Sequence, residues 1–394
     1  MAMAASLPWS TTVFGIFTVL WFICLIYAAD GQQFAETLRR PECFLPIAIF
    51  ALAVAGMFWS DAPWAARVHI AGTMVKLLAV PPLIYQFERS ERSAAVFLVF
   101  LASCTVLLAL SWINWLEPRT ILFKAIIPGV PVKNWITQGV EFVLCFFGSL
   151  ALAIIKWRND RHYTSLGFVL IALCFLLNMI FVAAASRTSL VSLPLLMVVA
   201  TFRYLGWRRA VPLYGVIVVV ICATWFASPA LRGRLESIHD QYAQYADHGK
   251  ITSVGLRLEY WSKALQFIRT APFAGHGTGS IRGLFARDAI GKTIVADQIV
   301  ANPHNQTLYF AIEWGVIGII LLWAMWIAHF LMFTEIRWIS WLGIIVVSQN
   351  IFDSLFNSHI SDYVEGWIYV MGVGVAAGMI SRSRKPASPA VIPI

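Results

Sequence analysis

Charge is what this sequence has least of. Asp, Glu, Lys and Arg make up only 12% of its 394 residues, against 59% hydrophobic residues, whereas a soluble domain carries roughly 25% charged residues. So little polar surface excludes a water-soluble particle. Repeated apolar runs near the ~20 residues that cross a bilayer define an integral membrane protein instead. Cysteine is sparse too. Cys24, Cys43, Cys104, Cys145, Cys174 and Cys222 lie in or beside apolar runs without paired loop spacing, so the cysteines indicate neither a disulfide framework nor a zinc site. The N-terminus lacks a basic n-region and an obvious cleavage site, so its first apolar run is expected to be retained. The net charge of +9 sits in short clusters between apolar runs. Bilayer topology produces that pattern, and no nucleic-acid partner is implied.

Eleven spans are expected near Trp9–Ala29, Cys43–Trp59, Val68–Phe87, Ala94–Leu116, Ile136–Ile155, Leu166–Ala185, Thr188–Leu205, Val211–Ser228, Gln306–Leu331, Trp338–Phe356 and Tyr363–Ile380. Backbone groups in lipid must bond within their own segment, so each span is helical. The expected class is an all-α polytopic bundle of about 11–12 transmembrane helices. One set of connections holds fourteen basic residues, including Arg39, Arg40, Arg89, Arg92, Arg382 and Arg384; the opposite short connections hold Arg67, Arg119, Lys124, Lys133 and Arg187. The positive-inside rule then puts the C-terminus in the cytoplasm and the long segment 229–303 outside. The chain divides into an N-terminal bundle (1–228), this loop, C-terminal helices (304–381) and a cytoplasmic tail (382–394). An odd span count leaves the short tail Met1–Pro8 outside, unless a helix precedes it or one span is unrecognised.

A connection of about 75 residues is long enough to be functional in its own right. Leu231, Leu235, Ile238, Tyr242 and Tyr245 recur at helical spacing and suggest an amphipathic helix. A second helix is expected around Gly255–Ile268, with Arg257 and Trp261 on one face. The stretch Ala271-Pro-Phe-Ala-Gly-His-Gly-Thr-Gly-Ser280 favours turns and close backbone approach. It is not a P-loop, since it lacks the Lys-Ser/Thr ending. His276 within it has no second ligand at metal spacing. In Asn302-Pro-His-Asn-Gln306, Asn302 reads as an N-cap and Pro303 as the first helical residue, which puts His304 in the first turn. The positive helix end disfavours imidazolium there, leaving the neutral imidazole that a general base needs. A polar histidine marking a membrane boundary is the plainer alternative. Arg187, in Ala183-Ala-Ala-Ser-Arg-Thr-Ser189, suits an anion through its planar fork, or else it snorkels to the interface. Lys76, Glu141 and Asp353 fall within or near apolar runs and fit either an ion pathway or pairing inside the bundle.

Ser186-Arg187, Arg257…Trp261, Pro272-Phe-Ala-Gly-His-Gly-Thr-Gly279 and Pro303-His304-Asn305, in this order within a many-span chain, resemble the O-antigen ligase and O-antigen polymerase superfamily of Gram-negative inner membranes. Length and plan point to the ligase branch. The resemblance implies a GT-C-like, metal-independent glycosyltransferase without a cofactor. Its donor would be O-antigen on undecaprenyl diphosphate, and its acceptor a lipid A-core sugar at the periplasmic face. It assigns His304 as the base on the acceptor hydroxyl, and Arg187 and Arg257 to the diphosphate; Trp261, His276 and Asn305 would be accessory. Members commonly have twelve spans with both ends in the cytoplasm, so eleven is a departure. A polymerase would share the donor chemistry. A secondary transporter would draw on Lys76, Glu141 and Asp353, but no inverted repeat is evident.

Overall fold

In a computed structural model, residues 1–118, 127–182, 187–204, 252–290, 299–335 and 338–384 are described, with isolated positions between 208 and 233. Every regular element among them is helical, and the chain is a polytopic α-helical membrane protein. The N-terminal part runs α1 (Ala2–Ser6), α2 (Thr11–Ala28), α3 (Gly31–Leu38), α4 (Pro41–Ala55), α5 (Trp64–Met74), a 3₁₀ turn, α6 (Val80–Phe87), α7 (Ser93–Leu116), α8 (Trp135–Arg158), α9 (His162–Leu177) and α10 (Arg187–Tyr204). After 252 come α11 (Ser253–Thr270), α12 (Ile281–Asp288), α13 (Gln306–Met332), α14 (Trp338–Asp353) and α15 (Tyr363–Arg384). Seven of the described helices are long and apolar enough to span by themselves, the α5–α6 run counting as one. Apart from those isolated positions, the expected span Val211–Ser228 and the amphipathic helix from Leu231 to Tyr245 lie outside the described residues.

Lipid, not water, sets which faces are apolar. On α2, Ile16, Val19, Ile26 and Tyr27 point outward and only Phe14 is buried, whereas α8 and α15 are buried along most of their length. With no hydrophobic drive between helices in a bilayer, close packing and hydrogen bonds hold them. Gly374 of α15 admits Leu83 of α6, and Gly343 of α14 admits the ring of Phe333. Trp326 donates to Asn350 Oδ1 at 3.0 Å, and His329 bridges Tyr369 and the Glu42 carbonyl.

The short tail Met1–Pro8 packs into the bundle. Met3, Ala4 and Leu7 are buried, and Ser103 in the middle of α7 donates to the Ala5 carbonyl while accepting from Trp9 Nε1. Apolar side chains at six of the first eight positions make burial the favourable outcome.

One end of the bundle is organised by a broken helix. Gly315 interrupts α13 with φ 62 and ψ −152, a region essentially reserved for glycine. The carbonyls freed by the break are satisfied by the glycine-rich segment before α12: His276 N–H bonds Ile312 O and Gly277 N–H bonds Glu313 O, both at 2.8 Å. Pro272 O accepts from Val316 N–H at 2.8 Å in return. The buried Glu313 carboxylate accepts from the Gly279 and Ile281 amides. Thr278 pins the segment sideways, donating to Ala53 O at 2.6 Å and accepting from Trp314 Nε1 at 2.9 Å. Gly275, Gly277 and Gly279 all have positive φ, so the glycine spacing serves docking against helices.

A Cβ at Gly315 would lie 2.3 Å from the Phe273 carbonyl oxygen. Left-handed strain and overpacking each cost about 1–3 kcal/mol. Gly315→Ala should therefore lower the apparent Tm of the detergent-solubilised protein by several degrees. Parental stability would show that segment 272–280 does not fix the break.

Candidate functional site

At the end of the bundle where α13 and α15 begin, two stretches of chain are stitched together. One is Asn302–Gln306, leading into α13; the other is the turn 354–362 between α14 and α15. Gln306 N–H donates to Ser354 O at 2.9 Å, its Oε1 accepts from Ile360 N–H at 2.9 Å, and its Nε2 donates to Ser361 Oγ at 3.1 Å. Ser358 Oγ donates to Asn302 Oδ1 at 2.7 Å. Asn305 caps α13 by accepting from Leu308 N–H at 3.0 Å and donates to Leu355 O at 3.1 Å.

This corrects the expected cap. Asn305, not Asn302, is the N-cap, because the helix begins at Gln306. His304 therefore sits before the helix, with φ 55. Asn302 acts one step earlier: its Oδ1 accepts from His304 N–H at 2.8 Å, an Asx turn that steadies the left-handed backbone.

The imidazole is oriented from one side. Asn357 Nδ2 donates to Asp362 Oδ2 at 3.1 Å, so Asn357 Oδ1 faces His304 Nδ1 at 3.0 Å as an acceptor. The proton is then on Nδ1 and the lone pair on Nε2. Burial holds the His304 pKa below its ordinary 6.5; the Asn357 bond opposes that shift, and the positive charge of Arg257 adds to it. The neutral form the sequence suggested is thus produced by burial and a neighbouring guanidinium, not by the helix end.

Helix α11 closes the other side. Tyr260 stacks on the imidazole, 6.1 Å between centroids at 29°. Trp261 Nε1 donates to Pro303 O at 3.1 Å. Arg257, one turn earlier, acts on the same histidine, so the face shared by Arg257 and Trp261 is the one turned to His304. Phe285 of α12 packs edge-on against Tyr260 and Phe267, and Lys263 pairs with Glu259 and Asp288.

Arg187 opens α10; its side chain and Ser186 lie outside the described residues. Ser192, five residues or ~7.5 Å further along the helix, adjoins Asp353 at the end of α14. The first turn of α10 is therefore at the same end of the bundle as turn 354–362. His276 is held elsewhere: its Nε2 lies 2.9 Å from Phe267 O and 3.1 Å from Thr270 Oγ1. Its contacts tie segment 272–280 to α11 and α13.

Sequence reasoning passed over Asn357, Ser358, His359 and Asp362. The signal was the polar run Asn357-Ser-His-Ile-Ser-Asp362 between two apolar runs. His359, pushed down to about 4 by burial, is neutral. Lys76, Glu141 and Asp353 converge behind this turn. Lys76 Nζ donates to the carbonyls of Ser361 and Asp362, Glu141 lies 3.8 Å from Lys133, and both groups act on Glu365.

A many-span helical membrane protein with a histidine, an arginine and the helix α11 gathered at one end is the class that fold and site define. Residues 171–323 match the family model described as O-antigen ligase. The matched segment contains Arg187, Arg257, the glycine-rich stretch and His304. No curated protein matches the chain.

The His304 titration midpoint, read by NMR on labelled histidine, should lie below 6.5. Arg257→Gln should raise it, and Asn357→Ala should lower it further. A midpoint indifferent to both would dissociate the imidazole from these neighbours.

Proposed function

We propose that the chain transfers an O-antigen glycan from undecaprenyl diphosphate to a sugar hydroxyl of lipid A-core. The observation that carries the reading is the neutral, Nδ1-anchored His304 with Nε2 left as acceptor, beside Arg257. Nε2 removes the proton from the acceptor hydroxyl as its oxygen attacks the anomeric carbon. The bond to the diphosphate oxygen breaks, and the leaving diphosphate gains negative charge. Arg257, joined by Arg187 from the first turn of α10, stabilises that charge electrostatically. His304 ends as imidazolium, with Asn357 and Asp362 holding the ring, and the proton leaves to solvent. Direct attack inverts the anomeric centre.

The reading places this end of the bundle at the periplasmic face of a Gram-negative inner membrane. Arg40, Arg89, Arg92, Arg382 and Arg384 lie at the opposite helix ends, where the positive-inside rule expects cytoplasm. A lipid diphosphate at the outer leaflet would then meet His304 where α11 covers it.

The test is reconstitution with a lipid-linked glycan and lipid A-core. Capped core should form, and His304→Ala should slow turnover by about 10²–10⁴-fold, the range for loss of a general base, with folding and donor binding retained. Arg257→Lys should also be damaging, since an ammonium cannot reproduce the bidentate fork. Extended lipid-linked glycan without capped core would replace the ligase reading with polymerisation. Unchanged transfer by His304→Ala would remove the histidine from the chemistry.

A further inference from the structure

The turn that presents Asn357 continues through His359 into the first residues of α15, and it builds a second cluster. One ligand-capable atom from each of His359, Asp362 and Glu365 lies within 4.8 Å of the others. His359 is only 1% exposed, and neither ring nitrogen has a hydrogen-bond partner. Buried polar side chains are rarely left so. Its Nδ1 faces Asp362 Oδ2 at 3.9 Å, too far for a hydrogen bond and suited to an atom between them. A cavity of about 10 Å³, bordered by His359, Glu365, Asp353 and Gln349, adjoins it. That is roughly the room one water needs.

Charge points the same way. Glu365 interacts electrostatically with Glu141, Asp353 and Asp362 and with the ammonium groups of Lys76 and Lys133. Among the described residues, four carboxyl groups and two lysines meet inside the bundle. Uncompensated charge is costly there. Lys76 does not relieve it by pairing: its Nζ donates to the Ser361 and Asp362 carbonyls and so braces the turn from below.

We propose that His359, Asp362 and Glu365 bind one divalent cation of the zinc or manganese class. One imidazole and two carboxylates suit these borderline ions better than calcium, which takes six or more oxygens. Ligand atoms ~2.1 Å from such an ion lie roughly 3–3.5 Å apart, so shifts on the order of 1 Å close the site. A water in the adjoining cavity completes the coordination. Thr137 Oγ1 donates to Glu365 Oε1 at 2.5 Å and orients that carboxylate. The ion has a structural role. It fixes Asp362, which holds Asn357, which orients His304; it does not reach Nε2 of His304.

Metal content, not glycan transfer, is the readout, so this proposal and the transfer reading fail separately. The full chain is purified in detergent through an affinity tag without histidines and stripped with EDTA. It is then dialysed against Zn²⁺ or Mn²⁺ and analysed by mass spectrometry for metal. About one equivalent per chain should remain, and the apparent Tm should rise by several degrees. Glu365→Gln keeps an acceptor for Thr137 and should weaken binding at least tenfold. His359→Phe should abolish the visible absorption of a Co²⁺-loaded sample. If either variant fails to fold, loading of the parent chain still decides. A monodisperse parent chain that takes up no metal overturns the proposal and leaves protons to balance the charge. Undiminished binding by folded Glu365→Gln and His359→Phe chains overturns it as well.

Discussion

The side-chain amides of Asn302, Asn305 and Gln306 bind the entry of α13 to the turn before α15, and the candidate site depends on that seam. Its seven hydrogen bonds, the His304–Asn357 contact included, span 2.7–3.3 Å. Net contributions of about 0.5–1.5 kcal/mol apiece outweigh the roughly 1–3 kcal/mol stored in a non-glycine residue at positive φ. The strained backbone of His304 is thereby affordable, and it turns the imidazole out of the helix and toward Asn357. Two side chains in series, Asp362 and Asn357, fix the ring from one side.

A second constraint keeps the segment from α11 to α12 from being a detached lid. The break in α13 exposes carbonyls that a membrane-level helix cannot leave unpaired, and the glycine-rich stretch supplies the missing N–H groups. Because that stretch joins α11 to α12, the docking carries Tyr260, Trp261 and Arg257 to the histidine. Broken helix, docked loop and aromatic cover form one mechanical unit, and a change at Gly315 acts on the site through it.

Much of this was legible in the sequence. Ten of the eleven apolar runs fall on described helices, because hydropathy over ~20 residues reports directly on the lipid environment. Arg257 and Trp261 on one face follows from helical spacing alone. The cap was misplaced by three residues because Asn302 and Asn305 are both good caps, and only the turn 354–362 decides between them through its bond to Asn305. Asn357 and Asp362 stayed hidden for the same reason: nothing local says that a turn 53 residues beyond His304 folds back upon it. Met1–Pro8 looked like a tail because its burial depends on α7, which periodicity in the tail cannot reveal.

The central claim is that His304, held neutral with Nε2 free, activates the acceptor hydroxyl for direct displacement of a diphosphate. The anomeric configuration of the newly formed glycosidic bond tests it most directly, by NMR of the product made from a donor of known configuration. The account predicts inversion. Retention would require a covalent glycosyl intermediate on the protein and would contradict it.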